Sequence, residues 1–388
     1  MRNASVLLIA VSGLLAAATC VPQNAVQAPT LDELGRLYDV STYHAAVTFP
    51  SNDDAGYGSS LAWGTSYVML TLNLLYEVTG DTAYLEKQLD LAEQAFRKRD
   101  IDLAAATGNQ ERYTDHQRNR VLKAWGTGTY SDGKYTCWAV HAGMVCFPVA
   151  EMVRLVRAGG EKTAAYSQRA EALVPLIEQA LTEFDSEWCD GPEPGQGYYV
   201  FPNGSILPLN QQNAPGRALF VLSELTGKQH YRDKADKLAA FMKSKLTHVT
   251  DGDYYLWAYY AKPPTAPPGR GEDVSHAAIN AHFMYLAWSY GSTFDDTDMA
   301  RLARTFTDAL YLGEGQFSGT VGGTAANDKY TPQLPRWCAL ARFDPRVEQF
   351  MLEYVGAHPK DSPGALGATT GAMAYAYLMR ARMLREQD

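Results

Sequence analysis

Apolar residues recur at every third or fourth position through most of this chain, and the strict alternation of a β-strand is nearly absent. The clearest run is Leu74-Leu75-Tyr76-Glu77-Val78-Thr79-Gly80-Asp81-Thr82-Ala83-Tyr84, which stays periodic to Phe96. It returns as Leu222-Ser223-Glu224-Leu225-Thr226-Gly227-Lys228-Gln229-His230-Tyr231, periodic to Met242, with weaker echoes at Val156 to Tyr166 and Ser289 to Met299. Each copy reads as a helix, a glycine-bearing turn and a second helix. A hairpin repeated at long, irregular intervals predicts a ring of paired helices rather than a tight solenoid, whose period is short and regular. Between the hairpins lie Gly/Tyr-rich loops at 107–136, 189–210, 260–275 and 313–335. They are too long for mere connections, and long loops on a rigid frame carry function. Gly197 to Phe201 is a brief strand candidate.

The first residues change the picture of where the chain works. Arg2 precedes an apolar run from Val6 to Leu15 and then Ala16-Ala17-Ala18-Thr19-Cys20, the pattern of a secretory leader. Residues 1–20 are expected to be a signal peptide and 21–388 a single secreted domain, a lipid anchor at Cys20 being the alternative. No later apolar run is expected to span a bilayer, which takes about 18 residues. In an oxidising compartment Cys137, Cys146, Cys189 and Cys338 allow three pairings or buried free thiols. Their spacing resembles no zinc pattern; no metal and no cofactor are expected, and the protein is expected to be a monomer. The net charge of −9 argues against nucleic acid or an acidic membrane as main partner.

Four loop-to-helix junctions carry the chemistry. Trp257 to Met284 joins Trp257, Tyr259, Tyr260 and Arg270 to Glu272-Asp273-Val274-Ser275-His276, a helix start with capping oxygens. Leu207 to Arg217 places Asn210, Gln211, Gln212 and Asn213 at a helix N-terminus, where free N–H groups favour a carboxylate. Tyr135 to Met144 brings Trp138 and His141 into an apolar helix, and Asn327 to Trp337 sets Lys329 and Tyr330 ahead of Arg336.

These segments, together with Leu61-Ala62-Trp63-Gly64-Thr65-Ser66-Tyr67, resemble the bacterial and fungal polysaccharide lyases that are built on an (α/α) toroid and cleave alginate or glucuronan. The resemblance spans most of the mature chain. It implies an all-α, incomplete (α/α) toroid with long active-site loops, an acidic polysaccharide as substrate, and β-elimination at a uronic acid. It also implies that Asn210 or Asn213 and His276 neutralise the C5 carboxylate, with Tyr330 as base and acid and an arginine beside it, Arg336, Arg270 or Arg217. His141, Trp138, Trp63, Tyr260, Trp257, Arg270 and Lys329 are then expected to bind substrate. A tyrosine is a poor base at neutral pH without a nearby cation, so Lys329, Arg336 or Arg270 should lie near Tyr330. The competing readings are a glycoside hydrolase using Asp115, Glu272 or Asp273, a uronate epimerase, and a non-catalytic sugar-binding protein. Glu272 and Asp273 read better as caps or supports of His276 than as a hydrolase pair.

Overall fold

The computed structural model describes residues 28–51, 56–261 and 271–387. The leader expected at 1–20 and Arg270 lie outside the described residues. Eleven α-helices and one long 3-10 helix make up the frame: α1 Leu31–Leu37, α2 Ser66–Thr79, α3 Thr82–Phe96, α4 Ala139–Ala158, α5 Ser167–Thr182, α6 Leu209–Thr226, α7 Gln229–Lys243, α8 Val274–Ser289, α9 Asp296–Arg304, the 3-10 helix Thr331–Arg342, α10 Arg346–Ala357 and α11 Ala368–Arg385.

Helix composition sorts these into two rings. α4 is buried along almost its whole length, from Ala139 to Val156, as befits an element apolar on all sides. It is long and apolar enough to cross a membrane, but it is packed inside the ring. α7, by contrast, buries one stripe, Tyr231, Ala235, Leu238, Ala239 and Met242, and turns its charged face outward. Packing follows the order α2, α4, α6, α8, the 3-10 helix, α11 and back to α2. This is an (α/α) toroid, and its inner ring closes on itself. α3, α5, α7, α9 and α10 form the outer layer, and α1 packs on α11 to complete it.

The turns between inner and outer partners are short. Gly80 and Gly227 take left-handed φ of 68° and 66°, a region open to glycine, and their N–H groups close the last turns of α2 and α6 on Tyr76 and Ser223 carbonyls. These are the two repeat turns of the sequence. Four of the returns from an outer to an inner helix are long and carry two-stranded antiparallel ribbons, among them Gly126–Thr127 with Thr136–Cys137 and Trp188–Asp190 with Gly197–Tyr199. The long loops therefore gather where the inner helices begin.

Two contacts tie the frame together. The Pro148 carbonyl accepts from Asn73 (2.7 Å) and Gln88 (3.0 Å), joining α2 and α3 to α4. α4 and α6 cross so closely at Gly143 that a Cβ there would stand 2.2 Å from the Pro215 nitrogen and 2.5 Å from the Ala214 carbonyl carbon. Cys137, Cys146 and Cys338 are buried free thiols, and Cys189 is a half-buried one.

Because the obstacle at Gly143 is backbone, Gly143→Ala is expected to cost about 1–3 kcal/mol through overpacking. A thermal melt should show a loss of several degrees; an unchanged midpoint would mean that α4 and α6 can separate there freely.

Candidate functional site

One cleft of about 570 Å³ opens at the mouth where the inner helices start. Its lining comes from five of the six inner elements and the loops before them. Trp63 lies in the π-helical turn Leu61–Thr65 that leads into α2, and Tyr67 in the first turn of α2. Single π turns inside helices shift the side-chain register and are frequent at functional sites. Trp138 and His141 open α4, Asn210 and Gln211 open α6, Ser275 and His276 open α8, and Lys329, Tyr330, Gln333 and Arg336 lie at and just inside the 3-10 helix. Tyr130, Phe201 and Tyr259 reach in from loops.

Local bonds explain how distant loops meet. The Leu209 N–H donates to the Tyr259 carbonyl at 3.0 Å, fastening the Trp257–Tyr260 segment to the start of α6. The 3-10 helix is held to α8 by the Trp337 indole N–H on the Val274 carbonyl (3.1 Å) and by Arg336 on the Ser275 carbonyl (3.3 Å).

Asp273 caps α8. Its Oδ1 accepts from Ser275 N (3.0 Å) and His276 N (3.1 Å), and its Oδ2 lies 2.6 Å from His276 Nδ1. Burial works to raise the Asp273 carboxyl, but the bonds from His276 and Ser275 outweigh it and hold it at about 2. The Asp273 carboxylate thus stands beside Nδ1 of an imidazole that lines the cleft. Tyr259 packs against the same ring at 5.4 Å and accepts a bond from Gln211 (3.3 Å). Burial pushes the Tyr259 phenol up to about 12, so it stays protonated at neutral pH.

Several buried polar atoms on the lining residues have no protein partner. Asn210 is 1% exposed, and both ends of its carboxamide are unpaired; the same holds for Trp138 Nε1, His141 Nδ1 and Arg336 Nε. Burial drives His141 down to about 3, so it is a neutral imidazole at physiological pH. Unpaired buried polar atoms are rare because each costs about 1–3 kcal/mol. Here they cluster at a concave site. No aspartate or glutamate is among the described lining residues.

The expected site residues Tyr330, His276, Asn210, Arg336, His141, Trp138, Trp63 and Lys329 thus meet in one cleft. Trp257 and Asn213 do not reach it. Trp257 is fully buried, stacked on Trp337 at 5.9 Å, because its indole N–H has a partner inside, Glu272 Oε2 at 2.6 Å. Asn213 lies one helical turn below Asn210 and donates to Asn280 (2.7 Å). Tyr260 is exposed beside Tyr259 and outside the lining. The arginine expected near Tyr330 bonds elsewhere: Arg336 donates to the Tyr67 hydroxyl and lies 4.1 Å from its ring, while Lys329 sits 5.0 Å over Tyr330. Asp115 is buried in an ion pair with Arg118 (2.9 Å), away from the cleft. Of the other lining residues, Tyr67, Gln211, Tyr259 and Gln333 lie in segments singled out from the sequence but were given no role, and Tyr130 and Phe201 were not expected.

No protein-family model matches this sequence, and no curated protein matches it. Solved structures do share its fold. An inactive variant of an alpha-1,6-mannanase from a Salegentibacter species, in complex with alpha-1,6-mannotetrose, is 14% identical over 92% of this chain and 100% of that one, with a TM-score of 0.52. A polysaccharide lyase is 13% identical over 91% and 98%, with a TM-score of 0.54. The unsaturated glucuronyl hydrolase of a Bacillus species, described as responsible for the degradation of glycosaminoglycan, is 14% identical over 92% and 98%, at 0.55. At such identities the likeness establishes the (α/α) toroid and leaves the reaction to the residues of the cleft.

Glu272 sits just outside the cleft, wholly buried, accepting from Trp257 and from Asn280 (2.5 Å). Burial raises its carboxyl well above the ordinary value of 4.5, more than those two bonds lower it. The folded state therefore holds a proton that the unfolded chain releases, and stability falls as pH rises above that ordinary value. Glu272→Gln should remove this part of the alkaline decline in melting temperature while keeping both donors satisfied. An identical pH profile in the variant would show that Glu272 is ionised in the native protein.

Proposed function

We propose that the protein is a secreted polyuronate lyase, acting on poly-mannuronate or glucuronan by β-elimination. The observation that carries this is a cleft lined by amide, imidazole and guanidinium side chains, several with an unpaired buried nitrogen or oxygen, and by no carboxylate among the described residues. A hydrolase on the same frame needs two carboxylates across its cleft, and none lines this one among the described residues. The N-termini of α4 and α6, which carry no side-chain cap, add fixed positive ends around the same space, which favours an anionic sugar. That one of the similar folds belongs to a polysaccharide lyase and another to a glucuronyl hydrolase is consistent with this chemistry.

In this reading Asn210 and His276 hold the C5 carboxylate and accept the charge that builds on it as the C5 proton leaves. That proton is barely acidic until donors are in place; each well-aimed donor stabilises the transition state by about 3 kcal/mol. Tyr330 takes the proton and returns one to the departing 4-oxygen, with the Lys329 ammonium over its ring. Arg336 steadies Tyr67 at the floor, and Trp63, Trp138 and Phe201 offer faces for sugar rings.

Incubation with poly-mannuronate and with glucuronan should give the ultraviolet absorbance of a 4,5-unsaturated uronide; folded enzyme giving none with either polymer sinks the reading. Tyr330→Phe should lower kcat about 10²- to 10⁴-fold and leave substrate binding intact, and Asn210→Ala should lower it about 10²- to 10³-fold. Tyr67→Phe should cost about fivefold, the worth of one hydrogen bond. If the two tyrosine variants show the reverse order of loss, Tyr67 is the acid and base.

A further inference from the structure

Below the cleft floor lies a cation with no anion. Arg217 stands seven residues after Asn210 on α6, on the same inward stripe and about 10 Å further along the axis at 1.5 Å per residue. It is 3% exposed. Its guanidinium meets Met144 Sδ (2.8 Å), His282 Nδ1 (3.4 Å) and the face of Phe147 (4.7 Å to the centroid), while its Nε has no partner. No carboxylate lies within ion-pair distance of it among the described residues. The acids further down the ring are already engaged, Glu77 with Arg380 (3.4 Å) and Glu151 with Arg154 (2.8 Å). Met144, in turn, is part of the floor: it packs with Ala62, Val140, Ala214 and Ile279 directly under Trp63, Tyr67 and Trp138.

Burying a charge without a counter-charge is costly, so its retention here calls for a group outside the protein on which it acts. The ionisable groups close enough to act on Arg217 are Tyr67, Tyr377 and Arg336, none of them a carboxylate, and burial pulls the guanidinium down to about 10, leaving it charged at neutral pH. His282, on α8, is pushed well below its ordinary value, chiefly by burial and then by Arg217 and Arg380, so it accepts as a neutral ring.

We infer that Arg217 is a positioning residue for anionic substrates: a buried positive charge, kept without a partner in the protein, whose field crosses the apolar floor and selects a carboxylate-bearing sugar in the cleft above. This rests on the polyuronate reading and adds the source of its charge selectivity. At an effective dielectric constant near 20, a unit charge about 10 Å away favours an anion by roughly tenfold; for a small ion in an open cleft, screening by salt reduces this to about threefold.

The test uses Arg217→Met, which keeps an unbranched flexible stem and removes the charge, and Arg217→Lys, which keeps the charge. Calorimetry measures binding of an oligoglucuronate and of its carboxyl-reduced, uncharged counterpart, and thermal melts report stability. Independently of any sugar, quenching of Trp63 and Trp138 by iodide and by neutral acrylamide is read as the difference from a Trp63→Phe/Trp138→Phe background at a constant ionic strength of about 0.1 M. Arg217→Met should melt no lower than the parent, bind the uronate about tenfold more weakly with the neutral sugar unchanged, and lose about threefold in iodide quenching with acrylamide unchanged; Arg217→Lys should restore both. Iodide quenching unaltered in Arg217→Met overturns the inference, as does a marked fall in melting temperature with no change in charge preference. An iodide effect without uronate binding by the parent keeps the buried field and rejects the polyuronate instead.

Discussion

Helices that are apolar nearly all the way round can bury that surface only by closing on one another, and this constraint organises the whole molecule. Once α2, α4, α6, α8, the 3-10 helix and α11 form a ring, their partners must return outside it, so all six inner elements point the same way. Short glycine turns then fall at one mouth and long loops at the other. Everything with chemical character collects where the helices begin, because that is where loop length is unconstrained and where backbone N–H groups lack partners.

The same closure explains the polar residues inside. A residue on the inward stripe of an inner helix has no route to solvent except along the axis, so Asn210, His141 and Arg217 are nearly inaccessible although the first two border an open cleft. In such a place some groups are matched by the protein, as Asn213 is by Asn280 and one Glu272 oxygen is by Trp257, and others, Asn210 among them, are not. Partnering therefore distinguishes residues that exposure does not. It also separates supports from working groups: Asp273 is spent on capping α8 and standing beside His276, a use that its position before the helix had suggested.

Much of this was legible in the residues, for identifiable reasons. The Thr-Gly turns at 79–80 and 226–227 punctuate long periodic runs, and both are inner-to-outer hairpin turns in the ring; the weaker echoes near Gly160 and Gly291 mark two more. The four loop-to-helix junctions singled out from sequence all contribute to one cleft, since a loop entering a helix is where this architecture puts its mouth. What could not be read was direction around the helix axis. On an inner helix the apolar pattern runs right round, so nothing in it separates Asn210, facing the cleft, from Asn213, facing a neighbour. The role of Tyr67 was hidden for the same reason, inside a periodic run that looks like core. Trp257 was misplaced by its aromatic company: its buried partner Glu272 is fifteen residues away, and polarity alone does not reveal that pairing.

The contact between α2 and α11 has a consequence for how the molecule comes into being. One flank of the first inner helix is covered by the last helix of the chain, and Tyr43 bonds to Thr369 across 326 residues (2.9 Å). During synthesis that apolar flank stays bare while the other hairpins are made, and an intermediate with five hairpins exposes two apolar edges, the sides of α2 and of the 3-10 helix that α11 covers. Such a species folds late and associates readily. Closure is thus a kinetic event, completed only when the final eighteen-residue helix docks.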